Sequence, residues 1–511
     1  MPHRPSPRLT RTDLLRRGAL GLLGSATAVR LLARDVASAE AASGPVVSVR
    51  EVQLGRGSRG LAARPARFNL IGVHWQGSGE VFFRTSDGRR WSAWQKAVVH
   101  ELADGAESTR GEWRLGTPVW VGGSGTSAVE YRVTGDVRAL RAHEVWGPVT
   151  RRARRTAIAA APFIVPRSSW GADESIVRAT PGYADQLHFA VVHHTAGKSP
   201  ATIEESAAIV RGIQRYHVES NGWNDIGYNF LVDGFGQVFE GRGGGVDRNV
   251  IGAHALGFNT SSSGVAVLGN FERELPTAEL QRALVQLLAW RLDVGHVDPL
   301  ALVAAVSTSG EIRTLRAISG HRDVGSTACP GENLYSLLDG LAQQVASVGL
   351  PKLYDASAET GADRLVRFTG RLSAALPWTV SVTAPDGSTA VQGLGAGAAI
   401  DWTWDATAAL DGRYTWSMAA TGDVLPATGV IVLGLPASAP PPSPPAPRPP
   451  RPGGLPRRIP SWAWRLRAWH RLPKAQRGSR PDGTPHRLPS WYWPWYRWIG
   501  ELERWQRGQR P

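Results

Sequence analysis

A chain of 511 residues with a single cysteine, Cys329, can form no internal disulfide, so each folded part must be held by its own apolar core. The thiol stands eight residues after His321 in the run Gly320-His321-Arg322-Asp323-Val324-Gly325-Ser326-Thr327-Ala328-Cys329-Pro330. Packing, nucleophilic chemistry and metal ligation are the uses left for it, and the last is the reading favoured here. The length exceeds what one ordinary core serves, so several domains are expected.

Residues 1–39 read as an export leader. Arg16-Arg17 precede an apolar, charge-free stretch over 18–29, and Ala37-Ser38-Ala39 supplies a small-x-small cleavage site. Paired arginines before a modest apolar run form a twin-arginine pattern. The run falls short of the ~20 residues a membrane span needs. The expected location is therefore secreted or at the cell envelope. Arginine in excess of lysine, with abundant Ala, Gly and Pro, fits a GC-rich bacterium.

Composition shifts divide the remainder. Residues 45–150 carry short alternating runs such as Leu70-Ile71-Gly72-Val73-His74-Trp75, separated by Gly/Ser/Asp turns, and read as an all-β module in which Trp91 and Trp94 pack. A basic linker, 151–165, follows, with Arg151-Arg152-Ala153-Arg154-Arg155 at its start. Over 166–350 strands alternate with helices, which predicts a central α/β domain with a mixed β-sheet flanked by helices. Phe189-Ala190-Val191-Val192 is a buried-type strand ending at His193-His194. Helices are expected at 202–217, 277–293 and 333–347, with a hairpin around Asp233-Gly234.

Residues 360–436 turn β again and suggest an Ig-like β-sandwich. A proline-rich linker, 437–456, leads to a Trp/Arg-rich tail over 457–511. In that tail Arg458-Ile459-Pro460-Ser461-Trp462-Ala463-Trp464 recurs 29 residues on as Arg487-Leu488-Pro489-Ser490-Trp491-Tyr492-Trp493. From Pro440 onward fifteen Arg and Lys face three acidic residues, giving +12 of the chain's +15. Arginine attracts anions and tryptophan stacks on sugars or sits at lipid interfaces, so the tail is expected to bind anionic wall polymers or a membrane surface; export argues against nucleic acid.

A catalytic zinc site needs three ligands from His, Cys or carboxylate and one open position for water. His193 at a strand end, His321 in a later loop, and Cys329 supply such a set. Their setting also carries a family resemblance. Arg167-Ser168-Ser169-Trp170-Gly171-Ala172, Val191-Val192-His193-His194-Thr195-Ala196, Ile226-Gly227-Tyr228-Asn229-Phe230, Gly252-Ala253-His254-Ala255-Leu256-Gly257-Phe258-Asn259, Gly264-Val265-Ala266-Val267-Leu268-Gly269-Asn270-Phe271 and the His321 to Cys329 run occur in that order. The region 166–350 thus resembles the peptidoglycan recognition protein and type-2 N-acetylmuramoyl-L-alanine amidase family.

The resemblance implies that His193, His321 and Cys329 bind Zn2+, and that Tyr228 lies beside the zinc-bound water. Thr327 falls where phage amidases carry a catalytic lysine and animal amidases carry threonine. Members that only bind the wall lack the cysteine. The expected activity is hydrolysis, by zinc-activated water, of the amide between N-acetylmuramic acid and L-alanine of peptidoglycan, carried out by a monomer. His254, Asn259 and Trp170 are expected to meet substrate, and His194 to pack or orient a neighbour. The alternatives are a non-catalytic wall-recognition protein and a cysteine peptidase of the cell wall with Cys329 as nucleophile.

Overall fold

The structure, a computed structural model, describes residues 46–53, 60–63, 65–99, 113–149, 162–434, 456, 460–471, 479–481 and 484–506. The leader, the basic run 151–155 and nearly all of the proline-rich linker lie outside these residues. Among the described residues no helix is long and apolar enough to cross a membrane.

The central domain is built on a six-stranded mixed sheet. Its strands are β1 (Ile164–Val165), β2 (Phe189–His194), β3 (Phe230–Val232), β4 (Val238–Glu240), β5 (Ser262–Val267) and β6 (Ile318–Gly320), in the order β1-β4-β3-β5-β2-β6. All neighbours run parallel except the hairpin β3–β4. That hairpin turns at Asp233, whose Oδ1 accepts from Phe235 N (3.0 Å) and Gln237 N (2.7 Å). Every residue of β2 and β5 is buried, as expected of parallel strands covered on both faces.

Helices α1 (Ile203–Arg215), α2 (Ala278–Val294) and α3 (Leu338–Ser347) do the covering. On one face Ala190, Val192, Val265 and Val267 meet Leu284 and Leu288 of α2 and Leu338 and Leu341 of α3. On the other, Leu231, Phe239 and Ala266 meet Ile209 and Ile213 of α1. Glu204 and Glu205 in the first turn of α1 complement its dipole, and Thr277 caps α2 by accepting from Leu280 N. The helix expected over 333–347 divides into a short turn, Glu332–Tyr335, and α3. A hairpin of Leu302–Val306 with Ile312–Arg316 is additional to the sequence expectation.

Among its described residues the N-terminal module holds strands and no helix, in antiparallel sheets of five and four strands. Ile71, Val73, Val81, Phe83, Val129 and Leu140 fill the space between them. Trp91 and Trp94 both pack against the Arg84 guanidinium, at 5.0 and 4.8 Å. This module is not a separate body behind a linker. Leu70, Trp120 and Val145 belong to the same buried cluster as Ile209, Ile213 and Tyr216 of the central domain. At the heart of the contact the Tyr216 hydroxyl donates to Gly116 O (2.7 Å), and with its proton so used it accepts from His74 Nε2 (2.8 Å). Gly72 faces the same ring, and a Cβ there would lie 2.0 Å from Tyr216 Oη.

The C-terminal strands are hydrogen-bonded as one five-stranded network, but its long strands break register between Arg371 and Leu376 and the two halves face each other, with Phe368 6.0 Å from Trp416. Its centre is a long hairpin of Leu365–Thr383 with Thr389–Asp405, closed by a turn at Asp386 and Gly387. In the tail, helices Ser461–Arg471 and Tyr492–Gln506 enclose a small core of Ala463, Leu466, Tyr492, Trp495 and Ile499. Trp462, Trp469, Trp491 and Trp498 pack against it, so much of the repeat's aromatic surface is spent on its own fold, while Trp493 stays 45% exposed.

Replacing Tyr216 with Phe removes the donor to Gly116 O and the acceptor of His74. Urea denaturation of Tyr216→Phe is expected to show a loss of about 1–3 kcal/mol, the usual consequence of breaking a buried hydrogen-bonded group.

Candidate metal centre

Register brings the first two candidate ligands together. β2 and β6 pair in parallel with Val192 opposite Gly320, so His193 and His321 leave adjacent strands at the same level. Their ring centroids lie 4.4 Å apart. Alternation along β2 sends Val192 into the α2/α3 core and His193 to the opposite face. A Cβ on Gly320 would come within 2.9 Å of both Tyr335 and Pro330, so the chain reaches His321 through a gap only glycine fits.

The third donor returns on a short loop. Arg322 N donates to Cys329 O (2.9 Å) and Cys329 N donates to Thr327 Oγ1 (3.2 Å), which closes the loop back onto His321. Cys329 Sγ lies 3.9 Å from His193 Nδ1 and accepts from His194 N at 3.3 Å. One ligand atom from each of His193, His321 and Cys329 falls within 4.8 Å of the others, and all three residues are buried. A tetrahedral zinc with one sulfur and two nitrogens sets such donors ~3.6 Å apart. The donor set and its spacing therefore fit that metal.

Behind the ligands runs a buried relay. Ser262 Oγ donates to Phe258 O (2.6 Å), which leaves it to accept from His254 Nε2 at 3.5 Å. His254 then holds its proton on Nε2 and accepts at Nδ1 from His193 Nε2 (3.1 Å). The lone pair of His193 Nδ1 is thereby left facing the cleft, the arrangement by which an outer partner orients a metal-binding imidazole. His254 packs directly on Gly264, where a Cβ would lie 2.3 Å from the imidazole Cδ2.

The remaining expected residues divide into two groups. Tyr228 and Thr327 line the same cleft as the three donors. The Tyr228 ring lies 5.4 Å from that of His193, and burial, reinforced by the Cys329 charge, pushes its hydroxyl pKa well up, so it keeps its proton. His194 orients a neighbour, as expected: its Nδ1 accepts from Phe271 N (3.3 Å), and desolvation, with the nearby His321 charge, lowers its pKa to about 4.

Three substrate-contact expectations need correcting. Trp170 is wholly buried and its Nε1 donates to Glu240 O (2.7 Å), which places it in the fold's closure. Asn259 spends Oδ1 on the backbone N–H groups of His254 and Ala255, at 2.7 and 2.9 Å. His254 lies behind His193 and reaches the site only through it. Sequence reasoning also missed Val98, Val99 and Thr117 of the N-terminal module, which line the cleft; no local pattern marks them.

A family model described as N-acetylmuramoyl-L-alanine amidase matches residues 183–332. Peptidoglycan-recognition protein SC2 of Drosophila simulans is 39% identical over 173 residues, which span 34% of this chain and 83% of that protein. The N-acetylmuramoyl-L-alanine amidase of Homo sapiens is 38% identical over 180 residues, 35% of this chain and 28% of that protein. Among solved structures, peptidoglycan recognition protein-LE in complex with tracheal cytotoxin aligns with 36% of this chain and 94% of its own, at 34% identity and a TM-score of 0.29. The chain belongs to the peptidoglycan-recognition protein and type-2 N-acetylmuramoyl-L-alanine amidase family, and the kinship lies in its central domain.

Substituting Gly264 by Ala displaces His254 from behind His193 while leaving all three donors in place. Chelator competition on Gly264→Ala is expected to show zinc affinity lowered about 10–100-fold, the usual effect of losing an outer partner.

Proposed function

We propose that the cleft hydrolyses the amide joining N-acetylmuramic acid to L-alanine in peptidoglycan. The observation that carries this reading is the convergence of three buried donors, two imidazoles and one thiol, in a cleft that also holds Tyr228 and Thr327. His193 Nδ1, a ring nitrogen of His321 and Cys329 Sγ would hold zinc, which when bound supplies a Lewis acid and a water ionising near pH ~7. The Tyr228 hydroxyl, kept protonated by burial, donates to the carbonyl oxygen as that oxygen gains charge. Thr327 Oγ1 accepts from Cys329 N and has its own proton to give, so it serves as a second donor on the loop side. The names of the relatives, recognition proteins for peptidoglycan and an amidase of this linkage, support the choice of substrate.

The test is mass-spectrometric analysis of purified peptidoglycan after incubation with the full chain. Stem peptides carrying new L-alanine amino termini are expected, and they should vanish with chelator or in Cys329→Ala. Tyr228→Phe is expected to retain zinc and lose about 10²-fold or more in kcat, the scale of one oxyanion donor. Wall binding with zinc bound and no cleavage would favour recognition alone. Cleavage that survives chelation but not thiol alkylation would favour a cysteine peptidase.

For the tail we propose a contact with anionic wall polymers or lipid headgroups, supported by its +12 charge and the exposed Trp493. A chain ending at Leu435 is expected to sediment with walls and anionic vesicles less than the full chain does; equal sedimentation would remove the proposal.

A further inference from the structure

The metal cleft is not built by the central domain alone. Val98, Val99 and Thr117 of the N-terminal module share a cavity of ≈ 110 Å³ with His193, Tyr228 and His321. Their segment is anchored from two directions. Thr117 N donates to Val98 O (2.8 Å) and Val99 bridges Gly116, whose carbonyl accepts from the Tyr216 hydroxyl just beyond α1. On the other side Lys198 N, four residues after His194, donates to Trp120 O at 3.0 Å. Between these ties the module's Leu70, Trp120 and Val145 are buried in the central domain's own cluster. These two ties fix the segment beside the cleft from both sides.

The chemistry of the wall is specific. Val98 and Val99 are 43% and 40% exposed, the large apolar groups in a lining that also holds Asn270, Glu272 and Thr327 beside the smaller Ala196 and Ala328. Apolar side chains left in water at the mouth of a polar cleft are what a ligand's apolar atoms cover. The cavity is far below the ~300–1,000 Å³ of a site that engulfs a drug-sized ligand, so only the atoms around the scissile bond enter it.

We propose that Val98 and Val99 are specificity-determining residues of the cleft, forming a fixed apolar wall against the methyl-bearing groups that flank the scissile amide. On the reading above, on which this inference rests, those groups are the lactyl and alanyl side chains of the muramyl peptide. The catalytic cleft is then composite, with metal and proton donors from one domain and a selecting surface from another.

The experiment uses the full zinc-loaded chain and a soluble muramyl tripeptide, comparing the parent with Val99→Trp, Val98→Asp and the milder Val99→Ala. Calorimetric binding and steady-state hydrolysis are both measured, with zinc content and melting temperature as controls. Both valines are partly exposed, so metal content and melting are expected to match the parent. Val99→Trp and Val98→Asp are expected to weaken binding and raise KM about tenfold or more, the loss falling on KM rather than kcat, with a smaller effect in Val99→Ala. Parental binding and kcat/KM in both larger variants would overturn the wall. If the parent binds the tripeptide without cleaving it, weaker binding in the variants keeps the wall while the hydrolytic reading falls. If the parent neither binds nor cleaves it, the wall falls as well.

Discussion

The parallel pairing of β2 with β6 is the constraint on which the site depends. It sets Val192 opposite Gly320, and so delivers His193 and His321 side by side from two buried strands. A slip of one residue would turn His193 toward the core packed by α2 and α3 and bring His194 to the cleft face in its place. Because His193 lies in a strand and His321 directly follows one, only the third donor needs a loop. That loop is short and tied at both ends, by Arg322 N to Cys329 O and by Cys329 N to Thr327 Oγ1.

Burying so many imidazoles in one place is tolerable only where their protons are assigned. The chain from His193 through His254 to Ser262 and Phe258 O assigns each one, and ends on a backbone carbonyl that needs a donor anyway. His194 is handled differently: desolvation holds it neutral, and Phe271 N supplies a donor to its free lone pair. The glycines at 252 and 264 belong to the same arrangement, since a Cβ at either would lie within 2.5 Å of the His254 ring.

The parts that could be read from the sequence are those where residue type itself carries the information. Two histidines and the lone cysteine announce ligation, and the apolar period of 203–215 announces a helix. Tyr228 and Thr327 came through family resemblance, since neither spacing nor composition assigns a role to a tyrosine before a strand. Trp170, Asn259 and His254 sit in motifs beside the site, yet sequence proximity cannot tell a side chain that lines a cleft from one that props it. The tail's tryptophans pose the same ambiguity, because a Trp facing solvent and one facing a partner helix look alike until Trp462 is seen against Trp491 and Tyr492.

The union of the N-terminal module with the central domain was hidden for a different reason. The basic run before residue 160 suggests a boundary, and boundaries suggest independence. What joins the modules is shape: at Gly72 and Gly197 an added Cβ would come within 2.0 and 2.6 Å of Tyr216 and Trp120 respectively. Contacts this close leave no room for a sliding interface, and a polar anchor in their midst, the Tyr216 hydroxyl, is satisfied only when the surfaces are seated. In a chain that cannot staple its domains with disulfides, such fitted burial is the means by which a residue from one module can stand at a fixed place beside the candidate metal ligands of another.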